Sequence, residues 1–138
     1  MSERNVDVIR GMYDFFNEWG ADPSGQRHPG IPLLLHEEIE FHTHPSAPEA
    51  GVYRGRESVI SYHERVFAQF ERVQVEVDDV EADGDRLVVS SRQHTVPHGS
   101  DAEIVQRVVE VWTLRDGLLA ERRIFPTRAE AIEAATSP

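Results

Sequence analysis

The chain contains no cysteine and no lysine; all 14 of its basic residues are arginine. The first absence excludes disulfides, thiolate nucleophiles and cysteine-ligated zinc. The second excludes Schiff-base catalysis and the lysine of a phosphate-binding loop. Positive charge is scarce, with 14 bases against 25 acids and a formal net charge of −11. Such a surface repels phosphates, so neither nucleic acid nor an anionic membrane is an expected partner. No apolar run reaches the length of a membrane span, and the first residues, MSERNVDVIRG, lack the basic-then-apolar order of a secretory signal. A soluble, cytoplasmic chain is expected. Its 138 residues suggest one domain, spanning residues 1–138, which can bury roughly two-thirds of the surface its unfolded chain exposes.

The most informative stretch is Val105 to Phe125, two long strands around a tight turn at Asp116-Gly117. The first strand is apolar on both faces, with Val108, Trp112 and Leu114 on one and Val105, Val109 and Val111 on the other. Such a strand needs two covers. One is expected from the chain's own helices and the other from a second subunit. Glu110, an acid among the residues of the first face, marks a candidate site.

Upstream, apolar spacing predicts a helix from Val6 to Gly20, with Asn5 as its cap and Gly20 as its end. A polar Pro/Gly loop carrying a solvated His28 follows, then a short helix from Ile31 to Glu37. Glu38 to His44 alternates as a strand, with Ile39, Phe41 and Thr43 on one face and Glu38, Glu40, His42 and His44 on the other. A third helix runs from Glu57 to Phe70; His63 beside its apolar stripe reads as a structural residue. From Val73 onward the pattern is an antiparallel meander, with turns at Asp83-Gly84, at Pro97 to Ala102 and at Asp116-Gly117. Thr127 to Glu130 opens a last short helix as a capping box. Helices segregated from an antiparallel sheet give an α+β class.

Five pieces in this order carry a family resemblance: Tyr13-Asp14-Phe15-Phe16-Asn17; Glu37-Glu38-Ile39-Glu40-Phe41-His42-Thr43-His44-Pro45; Tyr53-Arg54-Gly55-Arg56; Glu110-Val111-Trp112 with Asp116-Gly117; and Phe125 before Ala129-Glu130-Ala131. Together they resemble the SnoaL-like branch of the nuclear transport factor 2-like superfamily, over nearly the whole chain. The resemblance implies a cone-shaped α+β barrel: a curved antiparallel sheet wrapped around three N-terminal helices, a short C-terminal helix and an internal pocket. It also implies a homodimer packed through the outer sheet face. Since this fold hosts isomerases, dehydratases, cyclases and plain binding modules, it does not decide function.

Enzymes of the ketosteroid isomerase-like and polyketide cyclase-like type move protons beside a carbonyl. They need a base for an acidic C–H and donors for the developing oxyanion. Carried over by position, the resemblance places an acid at Glu110. Anchored on Pro45 it places the base at His44, with His42 on the same strand face; anchored on Glu37-Glu38 it places Thr43 there, which cannot act as a base. Burial between Val108 and Trp112 should disfavour the charge of Glu110, unless an arginine such as Arg92, Arg107 or Arg123 pairs with it. Histidine suits a base because its pKa lies near neutrality. The tyrosine donor falls on Met12 or on Tyr13, one residue and about 100° of helix apart. Trp112, Val108, Phe16, Phe67 and His94 are the expected ligand contacts. His42, His44, His94 and Glu110 are metal-ligand residue types but carry no recognised spacing, so neither a metal nor an organic cofactor is expected. Ser90-Ser91 lacks a nucleophile elbow. These residues suggest either a cofactor-independent isomerase, dehydratase or cyclase for an apolar cyclic carbonyl compound, or a non-catalytic ligand-binding or dimerisation module.

Overall fold

The computed structural model describes residues 2–22 and 24–137. Helix α1 (Ser2–Ala21) is followed by a single 3-10 turn (Ile31–Leu33), strands β1 (Leu35–His42) and β2 (Val52–Arg54), and helix α2 (Arg56–Phe67). Four longer strands come next: β3 (Phe70–Asp83), β4 (Arg86–Pro97), β5 (Ile104–Arg115) and β6 (Leu118–Phe125). Helix α3 (Arg128–Thr136) closes the chain. The strands form one curved, unclosed sheet in the order β2-β1-β6-β5-β4-β3. The α+β cone predicted from sequence is present, with two corrections. The sheet is mixed, because β1 runs parallel to β6. The expected helix from Ile31 to Glu37 is one 3-10 turn, after which the chain is already extended from Leu35.

Two residues of α1 play roles other than those their types suggest. The helix starts before Asn5, which is buried and donates its side-chain amide to the Gly84 carbonyl at 3.1 Å. Gly20 does not end the helix. A Cβ there would lie 2.0 Å from the Val73 carbonyl oxygen, so glycine lets α1 touch β3. Nearby, Asn17 takes the place of a missing strand: its amide donates to the Val75 carbonyl at 2.9 Å, and its oxygen accepts from the Val75 N–H at 2.7 Å. The helix is thereby fixed across the concave face at the edge strand.

The main core lies between that concave face and α1 and α2. It includes Ile9, Met12 and Trp19 of α1, Val59 and Ile60 of α2, Ile39 of β1, Leu87 and Val89 of β4, and Trp112 and Leu114 of β5. A second cluster lies on the convex side, where Val88 and Val111 pack against Ala131 and Ala135 of α3, with Val109, Phe125 and Ile132 beside them. This corrects the expected cover: α3 of the same chain covers Val109 and Val111. Val105 stays 53% exposed. Thr127 caps α3, accepting from the Glu130 N–H at 3.2 Å.

Candidate functional site

Strand bulges decide which side chains enter the cone. A bulge adds one residue to one strand and so reverses its inside–outside alternation beyond that point. In β3 the register with β4 slips between Val77 and Asp79, so Val73, Val75 and Val77 face in before the slip and Val80 and Ala82 after it. In β6 it slips at Ala120: Leu119 lies opposite Leu114, but Arg122 lies opposite Trp112. Arg122 is thus turned into the cone and Glu121 out of it.

Arg122 meets Glu110 inside. Its Nε lies 2.5 Å from Glu110 Oε2, and the two residues are 6% and 2% exposed. Its Nη1 donates to the His42 carbonyl at 2.9 Å, and the guanidinium carbon stands 4.5 Å over the Phe41 ring. The acid therefore sits against a cation and not in a purely apolar wall.

This pair lies in the wall of a cavity of about 370 Å³. Met12, Tyr13 and Phe16 of α1, Tyr62, His63 and Phe67 of α2, and Phe41 and Trp112 of the sheet make most of the lining apolar. Polar groups are few and directional. The Trp112 indole N–H donates to the Tyr13 hydroxyl oxygen at 3.3 Å, which leaves the Tyr13 proton to donate elsewhere. Thr43, His44, Gln93, Thr95 and Gln106 add further polar lining. His44 sits beyond the end of β1. Its Nδ1 accepts from the Ser46 N–H at 3.0 Å, and its Nε2 is 3.3 Å from the Gln106 amide nitrogen. His63 has its ring pKa pushed down to about 4 by burial; the bond to the Val59 carbonyl opposes the shift and the nearby Arg122 charge adds to it. The ring opens onto the cavity and is neutral at physiological pH.

The sequence profile of the SnoaL-like domain family matches residues 9–122. The chain belongs to that family. No curated protein sequence matches it. Among solved structures it is similar to an NTF2-like protein from Anabaena variabilis, at 20% identity over 90% of both chains with a TM-score of 0.73. It is also similar to Bal32a from a soil-derived mobile gene cassette, at 18% identity over 99% of this chain and 98% of that one, TM-score 0.77. A third is TerC, co-crystallised with polyporic acid, at 19% identity over 97% of this chain and 99% of that one, TM-score 0.70. At these identities the likeness is one of fold.

The SnoaL-like cone gathers Tyr13, Phe16, His44, Phe67, Glu110 and Trp112 of the sequence-derived residues around one cavity. It does not gather the others. His42 and His44 do not share a face, because β1 ends at His42; His42 turns outward and lies 2.9 Å from Glu40. His94 alternates with the inward Gln93 and Thr95 and pairs on the convex side with Glu76 at 2.7 Å and Glu103 at 2.9 Å. Val108 is buried between Gln106 and Glu110 but does not reach the cavity. The histidines and Glu110 considered as metal ligands are thus dispersed. Instead Glu40, His42 and Glu121 bring three ligand-type atoms within 4.8 Å of one another outside the cone. Sequence reasoning did not name Arg122 as the partner of Glu110 and took His63 for a structural residue.

Proposed function

We propose that this SnoaL-like chain is a small-molecule pocket protein that takes up an uncharged, largely apolar ring compound bearing an oxygen acceptor. The observation that carries this reading is the Tyr13 hydroxyl, whose oxygen is occupied by the Trp112 N–H and whose proton is left over, in a cavity whose lining is mostly apolar. The ligand's apolar body would rest on Phe16, Phe41, Phe67 and Trp112, and its oxygen would accept from Tyr13. TerC, with the same fold, is co-crystallised with polyporic acid, which supports looking for a ring compound. The uncovered convex surface at Val105 is where a homodimer contact would form.

A second reading, cofactor-independent proton transfer leading to isomerisation, dehydration or ring closure of a cyclic carbonyl compound, is favoured by one further observation. Glu110 uses one carboxylate oxygen on Arg122, so the other remains available in the wall that also carries His44 and Tyr13. Glu110 or His44 would take the proton and Tyr13 would donate to the carbonyl oxygen.

A thermal-shift series with cyclic ketones, phenols and polycyclic aromatics tests the pocket. A compound held at a hundred times its dissociation constant stabilises the native state by about 2.7 kcal/mol. The expected result is such a shift for ring-sized compounds, weakened in Tyr13→Phe for those with a carbonyl. If no ring compound shifts the transition or quenches Trp112 fluorescence, the pocket reading fails. If compounds bind but none is converted, and Glu110→Gln binds them equally well, the protein is the non-catalytic member of the pair.

A further inference from the structure

His63 is the cavity group whose hydrogen-bonding capacity the protein leaves half used. It lies one turn after Val59 on α2, and its Nδ1 is 2.8 Å from the Val59 carbonyl oxygen. A carbonyl oxygen accepts and cannot donate, so Nδ1 carries the hydrogen. A neutral imidazole has one N–H, and Nε2 therefore keeps its lone pair. Among the described residues, none donates to that nitrogen.

The surroundings explain why. Phe16 and Phe41 each have ring centroids 4.9 Å from that of His63; Tyr62 is at 5.2 Å, Phe67 at 5.8 Å and Trp19 at 6.3 Å. The phenylalanines have no donor. The two donors in this ring of aromatics are spent elsewhere, Tyr62 on the Pro48 carbonyl and Trp19 on the Gly25 carbonyl. Arg122, across the Phe41 ring, directs Nε to Glu110 and Nη1 to the His42 carbonyl. The fold thus holds a neutral acceptor in an aromatic wall and aims no donor at it. The residue is only partly buried, so this acceptor faces the cavity, where a bound molecule can donate to it.

We propose that His63 is the proton-accepting residue of the cavity, and that the ligand is a ring compound with a hydroxyl group (a phenol, an enol or an alicyclic alcohol) whose O–H donates to His63 Nε2. The inference rests on the pocket reading above and narrows its ligand class. Tyr13 supplies a donor to the same space, so a ring carrying one hydroxyl and one carbonyl would satisfy both groups. The low pKa of His63 fits this role, because an imidazolium would present a second donor in place of the acceptor.

The test compares 2-naphthol with 2-methoxynaphthalene, which has the same ring and an ether oxygen but no hydrogen to donate. Binding of each to the wild type and to His63→Phe is measured by calorimetry. The wild type is expected to prefer the naphthol by about tenfold, the worth of one hydrogen bond. His63→Phe, whose ring suits the aromatic surroundings, should bind the ether at least as well as the wild type does and lose the preference. A second measurement needs no variant: the Nε2 resonance in the histidine side-chain 15N spectrum should move on adding the naphthol and stay in place with the ether. If both compounds bind without preference, or the preference persists in His63→Phe, the assignment of His63 is overturned and the pocket reading stands. If neither compound binds the wild type, the assignment of His63 is overturned, and the pocket reading falls with it only where the whole thermal-shift series is also negative.

Discussion

Glu110→Ala would leave the Arg122 guanidinium as an unpaired charge in a wall where it is 6% exposed. Removing one partner of a buried pair typically costs about 3–5 kcal/mol, most of it the penalty of the charge left behind. Two features of the structure place this case near the lower bound. Arg122 keeps its bond to the His42 carbonyl at 2.9 Å and its position 4.5 Å over Phe41, and the adjoining cavity can admit water to the freed Nε. With an unfolding entropy of about 2.1 cal/mol/K per residue, the loss lowers the melting temperature by about 3 °C per kcal/mol, or about 10 °C in all. Glu110→Gln keeps a neutral acceptor and should cost about half as much. The double variant Glu110→Leu/Arg122→Met removes both charges and should return most of the lost stability, because well-packed apolar replacements of buried pairs are often neutral or better. Urea unfolding of the wild type, Glu110→Leu, Arg122→Met and the double variant closes a double-mutant cycle. A cost below about 1 kcal/mol for Glu110→Ala, or a double variant as unstable as the sum of the singles, would refute a tightly coupled buried pair.

Other outcomes follow from single features. The His63 pKa is about 4 in the folded chain and about 6.5 unfolded, so the unfolded state takes up the proton first. The associated stability is complete above about pH 6.5 and lost as pH falls to about 4, by about 3 kcal/mol. Arg122, Glu110, His44, Tyr13 and Tyr62 are the other ionisable groups sharing its cavity and remain in His63→Phe, as does the exposed His98, which Glu71 shifts the opposite way. That variant should therefore show a flatter pH dependence of urea stability between those limits, and an unchanged slope would sink the assignment. Gly20→Ala should destabilise by about 1–3 kcal/mol despite its better helix propensity, because its Cβ meets the Val73 backbone; a raised urea midpoint would contradict the close approach. Thr127→Ala should cost about 1 kcal/mol through loss of the α3 cap, read in the same assay, and no change would mean the cap is idle.

The fold was legible because its signals are local and redundant. Asp116 and Gly117 both take positive φ, 56° and 76°, as a two-residue hairpin turn with that sequence favours. The alternation of Val73, Val75 and Val77 marks β3, and Gln74, Glu76 and Asp78 alternating with them mark its wet face. Boundaries failed where a residue type had a second use. Asn5 looks like a cap but anchors α1 to the Gly84 carbonyl, and Gly20 looks like a helix end but is a contact point. Leu34 and Leu35 suit a helix as well as a strand by type, and pairing of Leu35 with Leu119 decided for the strand.

The site was less legible, because its residues depend on register and not on type. Glu110 was found since an acid among valines and a tryptophan stands out in any alternating strand. Its partner was missed because uninterrupted alternation from Leu119 turns Arg123 inward, and Arg123 is one of the three arginines, with Arg92 and Arg107, that the sequence suggests. One extra residue, at Ala120, reverses that choice and gives the place to Arg122. Nothing in the composition of LLAERRIF marks the bulge, since Ala120 is an ordinary strand residue and the two arginines are adjacent. His42 and His44 were separated by a similar event: the strand that would have held them on one face stops at His42. His63 reads as structural in the sequence for a different reason. A histidine beside an apolar helical stripe is structural unless its second nitrogen opens onto a space, and that space is made by Phe16, Phe41 and Phe67 from three separate elements. The chemistry of this cone is thus written in the relation between elements, where a shift of one residue exchanges the group that faces a ligand for one that faces water.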